Sequence, residues 1–294
     1  MSFTVGGRFR ILLFAVVVAS ALNCRGQIAS NYTKESVAEL IDDLTQIDSE
    51  SVLINSHYVI AGFIVEETPV SLRTYRGEPA VPDAQQQLRE LVRRGPLALP
   101  ELIRHLDDKR PTKLEVGIPL PGTAFYGKFF GHEYSARVRD WEQTGLRWGQ
   151  KSFSGTYTLK VGDVCYPLIG QIVNRPLVAE RGQPSGFLVV NSPTEAPVLV
   201  SDLRDDWGKG DAETLKASLL ADIDGFSHLA DIKFDTGGTK QFREALYIKL
   251  VVNPALQRLR AYFPDAYKSL SGDGLQRKVE FEKQESAHSS PSAQ

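Results

Sequence analysis

The sequence predicts a mainly α-helical fold of stacked antiparallel helical hairpins, arranged in the manner of an α-solenoid. A loop-rich central insertion carrying a few short strands is expected between them. Three observations lead there. Residues 82–108 and 239–263 each hold two short apolar stripes at helical spacing, divided by a Gly-Pro or Asn-Pro joint. Between them, 112–160 loses that period, and glycines, prolines and aromatics interleave with arginines. The helical period then returns at Asp163 and runs to Ile223.

The chain opens with a segment that reads as a secretory signal. Arg8 and Arg10 form a positive start, Ile11 to Ala21 a short apolar run, and Ala19-Ser20-Ala21 a small-residue cleavage site. The run falls short of the roughly 18 residues that span a bilayer. An exported chain, periplasmic or extracellular and with no transmembrane span once matured, is therefore expected. An uncleaved membrane anchor is the alternative. Cys24 raises lipid anchoring, although Ala21-Leu22-Asn23 fits a lipoprotein signal poorly. Cys165, the one other cysteine, could pair with Cys24 in an oxidising compartment. Its place on an apolar stripe favours a buried free thiol.

Residues 22–31 read as a flexible lead, with a glycosylation sequon at Asn31-Tyr32-Thr33. Residues 32–272 read as one globular domain. Thr33 can cap a helix bearing Val37, Leu40, Ile41, Leu44 and Ile47 on one face. Helix and strand are not separable over 52–65, and 66–80 reads as loop.

In the first hairpin Ala84, Leu88, Leu91 and Val92 form one stripe, and Leu99, Leu102, Ile103 and Leu106 the next. Gly95 suits a left-handed C-cap, Pro96 blocks continuation, and Pro100 suits a helix start. Helices this short persist only by burying their stripes against each other and a third partner. The run LRELVRRGPLALPELIRHLDD resembles a HEAT-type helical repeat over about thirty residues. That resemblance implies a scaffold with a binding surface and no catalytic residue. An ordinary helical hairpin is the plainer reading.

After the insertion, Thr156 to Val161 alternates as a strand would. Asp163 can cap a helix carrying Val164, Cys165, Leu168, Ile169, Ile172 and Val173, with Pro167 near its first turn. Phe187 to Val190 is a short strand candidate. Ser192-Pro193-Thr194-Glu195 has the pattern of a capping box. Pro197 threatens a kink in the helix after it, and Asp211 caps the next. In the second hairpin Phe242, Leu246, Leu250 and Val251 precede a break at Asn253-Pro254. Leu256, Leu259, Tyr262 and Phe263 follow, and Pro264 closes the pair. Residues 273–294, charged and then Ser-rich, read as a disordered tail. Residues 158–223, TLKVGDVCYPLIGQIVNRPL through SLLADI, resemble a family of bacterial secreted proteins with no assigned activity, from which no catalytic residue carries over.

The motifs exclude more than they identify. Net charge is −2, and −4 without Arg8 and Arg10, so no basic excess points to nucleic acid. Asp235-Thr236-Gly237 lacks the second copy that an aspartic protease needs, and DTGGTK sits too late for a sugar-kinase phosphate loop. A Gly-rich turn with Thr239 capping the next helix explains it better. No HExxH, no CxxC and no pair of histidines four apart is present, so no metal is implied. Gly182 to Gly186 displaces its serine from the nucleophile-elbow position, and no dinucleotide or Walker loop implies a cofactor.

The candidate binding residues are Tyr126, Arg137, Trp141, Arg147 and Trp148, since aromatics beside arginines can stack on a sugar or grip a peptide. The expected activity is non-enzymatic binding or scaffolding in the bacterial cell envelope, with an envelope protein or a glycan as partner. The alternative is an envelope hydrolase with a site within 120–190 using His132, Glu133 or Asp163.

Overall fold

The structure, a computed structural model, describes residues 34–47, 63–65, 82–116, 124–128, 147–153, 156–175, 177, 180–182, 188–224 and 240–289. The expected signal, Cys24, the sequon, 52–62, the 66–80 loop and 235–239 lie outside them. The described fold is mainly helical, with one two-stranded and one four-stranded sheet.

Helix α1 (Val37–Asp42) starts later than Thr33 would set it. Ser36 is the cap: its Oγ accepts from Glu39 N–H at 3.2 Å while the Glu39 carboxylate accepts from Ser36 N–H at 2.6 Å. A 3₁₀ turn, Asp43–Gln46, completes the segment. Helices α2 (Pro82–Arg94) and α3 (Leu99–Arg104) are joined through a 3₁₀ turn at Gly95–Leu97. Gly95 has φ +46°, as the joint requires, and a Cβ there would strike the Tyr262 ring.

The third partner that these helices need is α4 (Val161–Val173). All of its residues are buried, and α2 and α3 both pack on it. Its N-terminal N–H groups are capped by the preceding chain: Val161 donates to Arg110 O at 2.9 Å and Gly162 to Asp108 O at 3.0 Å. Asp163 is therefore inside α4 rather than its cap, and it reaches back to accept Lys160 N–H at 2.9 Å. Pro167 lies in mid-helix, beyond the first turn.

The insertion contributes strands β1 (Pro111–Val116), β2 (Ala124–Lys128), β3 (Arg147–Phe153) and β4 (Tyr157–Lys160). Beyond α4 come β5 (Glu180–Gly182) and β6 (Leu188–Val190). β1 and β4 pair antiparallel, with Pro111 opposite Lys160 and Val116 opposite Tyr157. The larger sheet runs β3-β2-β6-β5, and only the β2–β6 pair is parallel.

Helix α5 (Pro197–Trp207) begins at Pro197, which opens it instead of kinking it. The expected capping box makes half its bonds. Ser192 Oγ accepts Glu195 N–H at 3.2 Å, but the Glu195 carboxylate turns to the Lys160 ammonium, leaving 193–195 a turn. Asp211 caps α6 (Ala212–Asp224) as expected, its carboxylate accepting Thr214 N–H at 2.6 Å.

In the C-terminal part the Asn253-Pro254 break does not occur. Helix α7 (Lys240–Tyr247) widens into a π turn at Ile248–Val252 and continues as α8 (Asn253–Tyr262). The wider turn keeps the chain helical through a proline that has no N–H to donate. Pro264 likewise opens a helix, α9 (Pro264–Lys268). Residues 273–289, expected as a disordered tail, lie in helix α10 (Gly272–Ser289). Few apolar residues hold it, but Phe281 is buried under the Arg260 guanidinium, 5.3 Å from its ring centre. Tyr262 then ties this part to the first hairpin by donating to Val92 O at 2.5 Å.

Candidate functional site

The two ends of α4 each carry a buried carboxylate. At the start, Asp163 Oδ1 accepts from Ser192 Oγ at 2.6 Å and Thr194 Oγ1 at 3.2 Å. Its Oδ2 accepts from Tyr157 Oη at 2.7 Å and from Lys160 N–H. β4 delivers Tyr157, α4 delivers Asp163, and the turn after β6 delivers both hydroxyl residues. All four side chains are buried. Burial pushes the Asp163 carboxyl up against the pull of these donors, and burial with the Asp163 charge pushes the Tyr157 phenol well up.

Past the other end, Asp222 of α6 is wholly buried. Its Oδ2 accepts from Arg175 Nη1 at 2.7 Å and Asn174 Nδ2 at 2.8 Å, and its backbone oxygen accepts from Tyr247 Oη at 2.9 Å. Asp222 Oδ1 is buried with no hydrogen-bond partner. Burial raises this carboxyl too, with Arg175, Asn174 and Arg258 opposing. Asn174, the C-cap of α4, adopts φ +59° and also donates to Val251 O of the π turn at 3.1 Å. Arg258 is buried as well, donating to Gln171 O at 2.5 Å and Pro254 O at 2.8 Å beneath the Phe63 ring.

Both clusters join elements distant in sequence. Three hydroxyls and a backbone N–H surround the buried Asp163 carboxylate in a knot that ties β4, α4 and the turn after β6 together, with Asp163 and Ser192 at zero exposure. Among the described residues no group of three His, Cys, Asp or Glu side chains could hold a metal ion. None of the described helices is long and apolar enough to cross a membrane. Cys165 is a buried free thiol, and burial raises it.

The sequence candidates fall on the larger sheet or outside the described residues. Tyr126 of β2 pairs with Val190 of β6. On β3, Arg147 stands opposite Lys128 and Trp148 opposite Gly127. Arg137, Trp141, His132 and Glu133 lie outside the described residues. Of the hydrolase candidates, Asp163 alone is described, in the knot above. The sheet reaches that knot through the chain: β6 ends at Val190, two residues before Ser192.

Sequence reasoning missed Tyr157, Ser192 and Thr194 as partners of Asp163. They lie six, twenty-nine and thirty-one residues from Asp163 and form no local motif. The one available signal was two hydroxyl residues in an apolar neighbourhood after Phe187–Val190. No family model, no curated protein and no solved structure matches this chain.

Proposed function

We propose that the chain is a non-enzymatic binding or scaffold protein of the bacterial cell envelope, exported by residues 1–21. Its helical body is HEAT-like in its first hairpin, and its ligand contacts come from the aromatic segment 125–148. The observation that carries this reading is how the polar groups of the helical body are used. Asp163 takes four donors, Asp222 takes Arg175 and Asn174, and Arg258 takes two backbone oxygens, all inside the core. An acid–base enzyme instead leaves its charged groups at a cleft where a substrate can reach them. The remaining aromatic and arginine residues of the segment then serve recognition, where Trp, Tyr and Arg are the effective anchors.

The test compares wild-type chain with a Trp141→Ala/Trp148→Ala double variant, both expressed with their N-terminal segment and cross-linked in intact cells. The reading expects envelope fractionation of both and a cross-linked protein or glycan that the double variant loses. Equal capture by both chains sinks the assignment of the segment. Hydrolysis of envelope polymers by purified chain, abolished by His132→Ala or Glu133→Gln, would put the enzyme in its place.

A further inference from the structure

The C-terminal helix α10 has the length of a stable element and the attachment of a loose one. Of residues 272–287 only Gly274 and Phe281 are buried. Leu275 and Val279, one turn apart, stay 44% and 40% exposed, so the apolar residues of this helix are not all used for docking. What fastens it is mostly charged. Arg260 of α8 makes a bidentate pair with Glu285 at 2.7 and 3.1 Å while its guanidinium lies over the Phe281 and Tyr267 rings. Tyr267 Oη donates to Glu282 at 2.9 Å, and the Lys278 ammonium sits 4.6 Å from the Tyr267 ring centre. Near the N-terminal end Gly274 faces Ile223 and Asp224 of α6, close enough that an added Cβ would reach ordinary contact distance.

These bonds are of the kind that half-exposed pairs make, and each contributes little in water. Helices in proteins draw most of their stability from packing an apolar face, and α10 has little of one to pack, so undocking and unfolding are coupled. The composition agrees: KVEFEKQESAHSS has one large buried anchor among charged and small residues, which is why the sequence reads as a tail.

We propose that α10 is a strap that opens as a unit from α8 and α9 while the core around α4 stays folded. Phe281 is its single apolar anchor. Opening uncovers Tyr267, otherwise buried, together with the Arg260 guanidinium. This inference rests on α8, α9 and α10 and does not depend on the binding reading above.

Amide exchange on the full chain tests it. Amides of 273–289 should exchange about tenfold or more faster than those of 161–173, yet slower than an unfolded chain. In about 1 M sodium chloride, where the Debye length is about 3 Å, the gap should widen, since the pairs to Arg260 are screened. Phe281→Ala should accelerate 273–289 by about a hundredfold or to the unfolded limit, leaving 161–173 unchanged. Phe281→Leu, which keeps an apolar anchor, should lie between. Two outcomes overturn the proposal: α10 exchanging together with α4, in wild type or with both accelerated equally by Phe281→Ala, and α10 exchanging at the unfolded rate in the wild type.

Discussion

Tyr157 and Asp163 share a 2.7 Å hydrogen bond that ties the start of β4 to the first turn of α4. The bond is made inside the protein to a carboxylate that also accepts two further hydroxyls and a backbone N–H. Hydrogen bonds to charged acceptors contribute about 1.5–3 kcal/mol, and removing the shared acceptor strands every donor at once. Tyr157→Phe is therefore expected to cost about 2 kcal/mol and Asp163→Ala about 4 kcal/mol. The double variant should cost clearly less than the sum, because the second change finds its partner already gone. Urea denaturation of the four chains measures the coupling, and strict additivity would refute the knot.

Gly162 supplies a second test, one of shape. Here α4 starts directly beneath the 3₁₀ turn that ends α3, and a Cβ on Gly162 would fall on the Leu106 carbonyl oxygen, with Thr194 Cγ2 at 2.8 Å. The obstacle is backbone, so it cannot rotate away. Gly162→Ala is expected to destabilise by about 2–3 kcal/mol in the same denaturation experiment, as overpacking does. A neutral result would mean that the approach of α4 to α3 is looser than described.

The helical stripes and the Gly95-Pro96 joint were legible in the sequence because period and turn chemistry are local, whereas the Asn253-Pro254 joint was overridden by the π turn. Leu88, Leu91 and Val92 bury as their spacing requires, as do Leu99, Leu102 and Leu106, and Gly95 takes the positive φ that its position implied. Errors came where one local rule met a distant partner. Asp163 looked like a cap because it precedes an apolar stripe, yet Arg110 and Asp108 carbonyls already receive the first N–H groups. Glu195 left its capping box for Lys160, thirty-five residues away. Residues 273–289 lie in a helix where their composition suggested a tail, and Arg260 and Tyr267 supply from outside contacts that this composition lacks. Of the candidate binding residues, Tyr126, Arg147 and Trp148 take strand positions on β2 and β3, a placement set by strand pairing across the insertion rather than by any local motif.

Stability should depend on pH with two limbs of opposite sign. Burial raises Asp163 and Asp222, so the folded chain binds their protons at higher pH than the unfolded chain does. Stability then rises as pH falls through those raised values toward about 3.9, the unfolded value. Asp108 works in the other direction. Burial would raise it, but hydrogen bonds from Arg110 and His105 hold it at about 2. Its contribution is full above about 3.9 and is lost as pH falls from there toward 2. Urea midpoints across this range should climb on mild acidification and then decline. Asp222→Asn should flatten the climb and leave the decline. An unchanged climb in that variant would remove Asp222 as its source.

Asn174 offers the sharpest separation of backbone from side chain. It holds a left-handed conformation at the end of α4, with φ +59°, and its amide bridges Asp222 Oδ2 and Val251 O. Asn174→Ala loses both bonds and keeps a Cβ in a backbone region that L-residues disfavour by about 1–2 kcal/mol. Asn174→Gly loses the same bonds but relaxes the backbone, at some entropic cost in the unfolded chain. Both variants should be destabilised by the exposed deficit at Asp222, which retains Arg175. The glycine variant should nonetheless be about 1 kcal/mol more stable than the alanine variant. Equal losses would place the whole cost in the hydrogen bonds and none in the turn. A glycine variant as stable as wild type would mean that the bridge to Asp222 and Val251 contributes nothing, leaving Arg175 and Tyr247 as the hydrogen-bonding partners that hold Asp222.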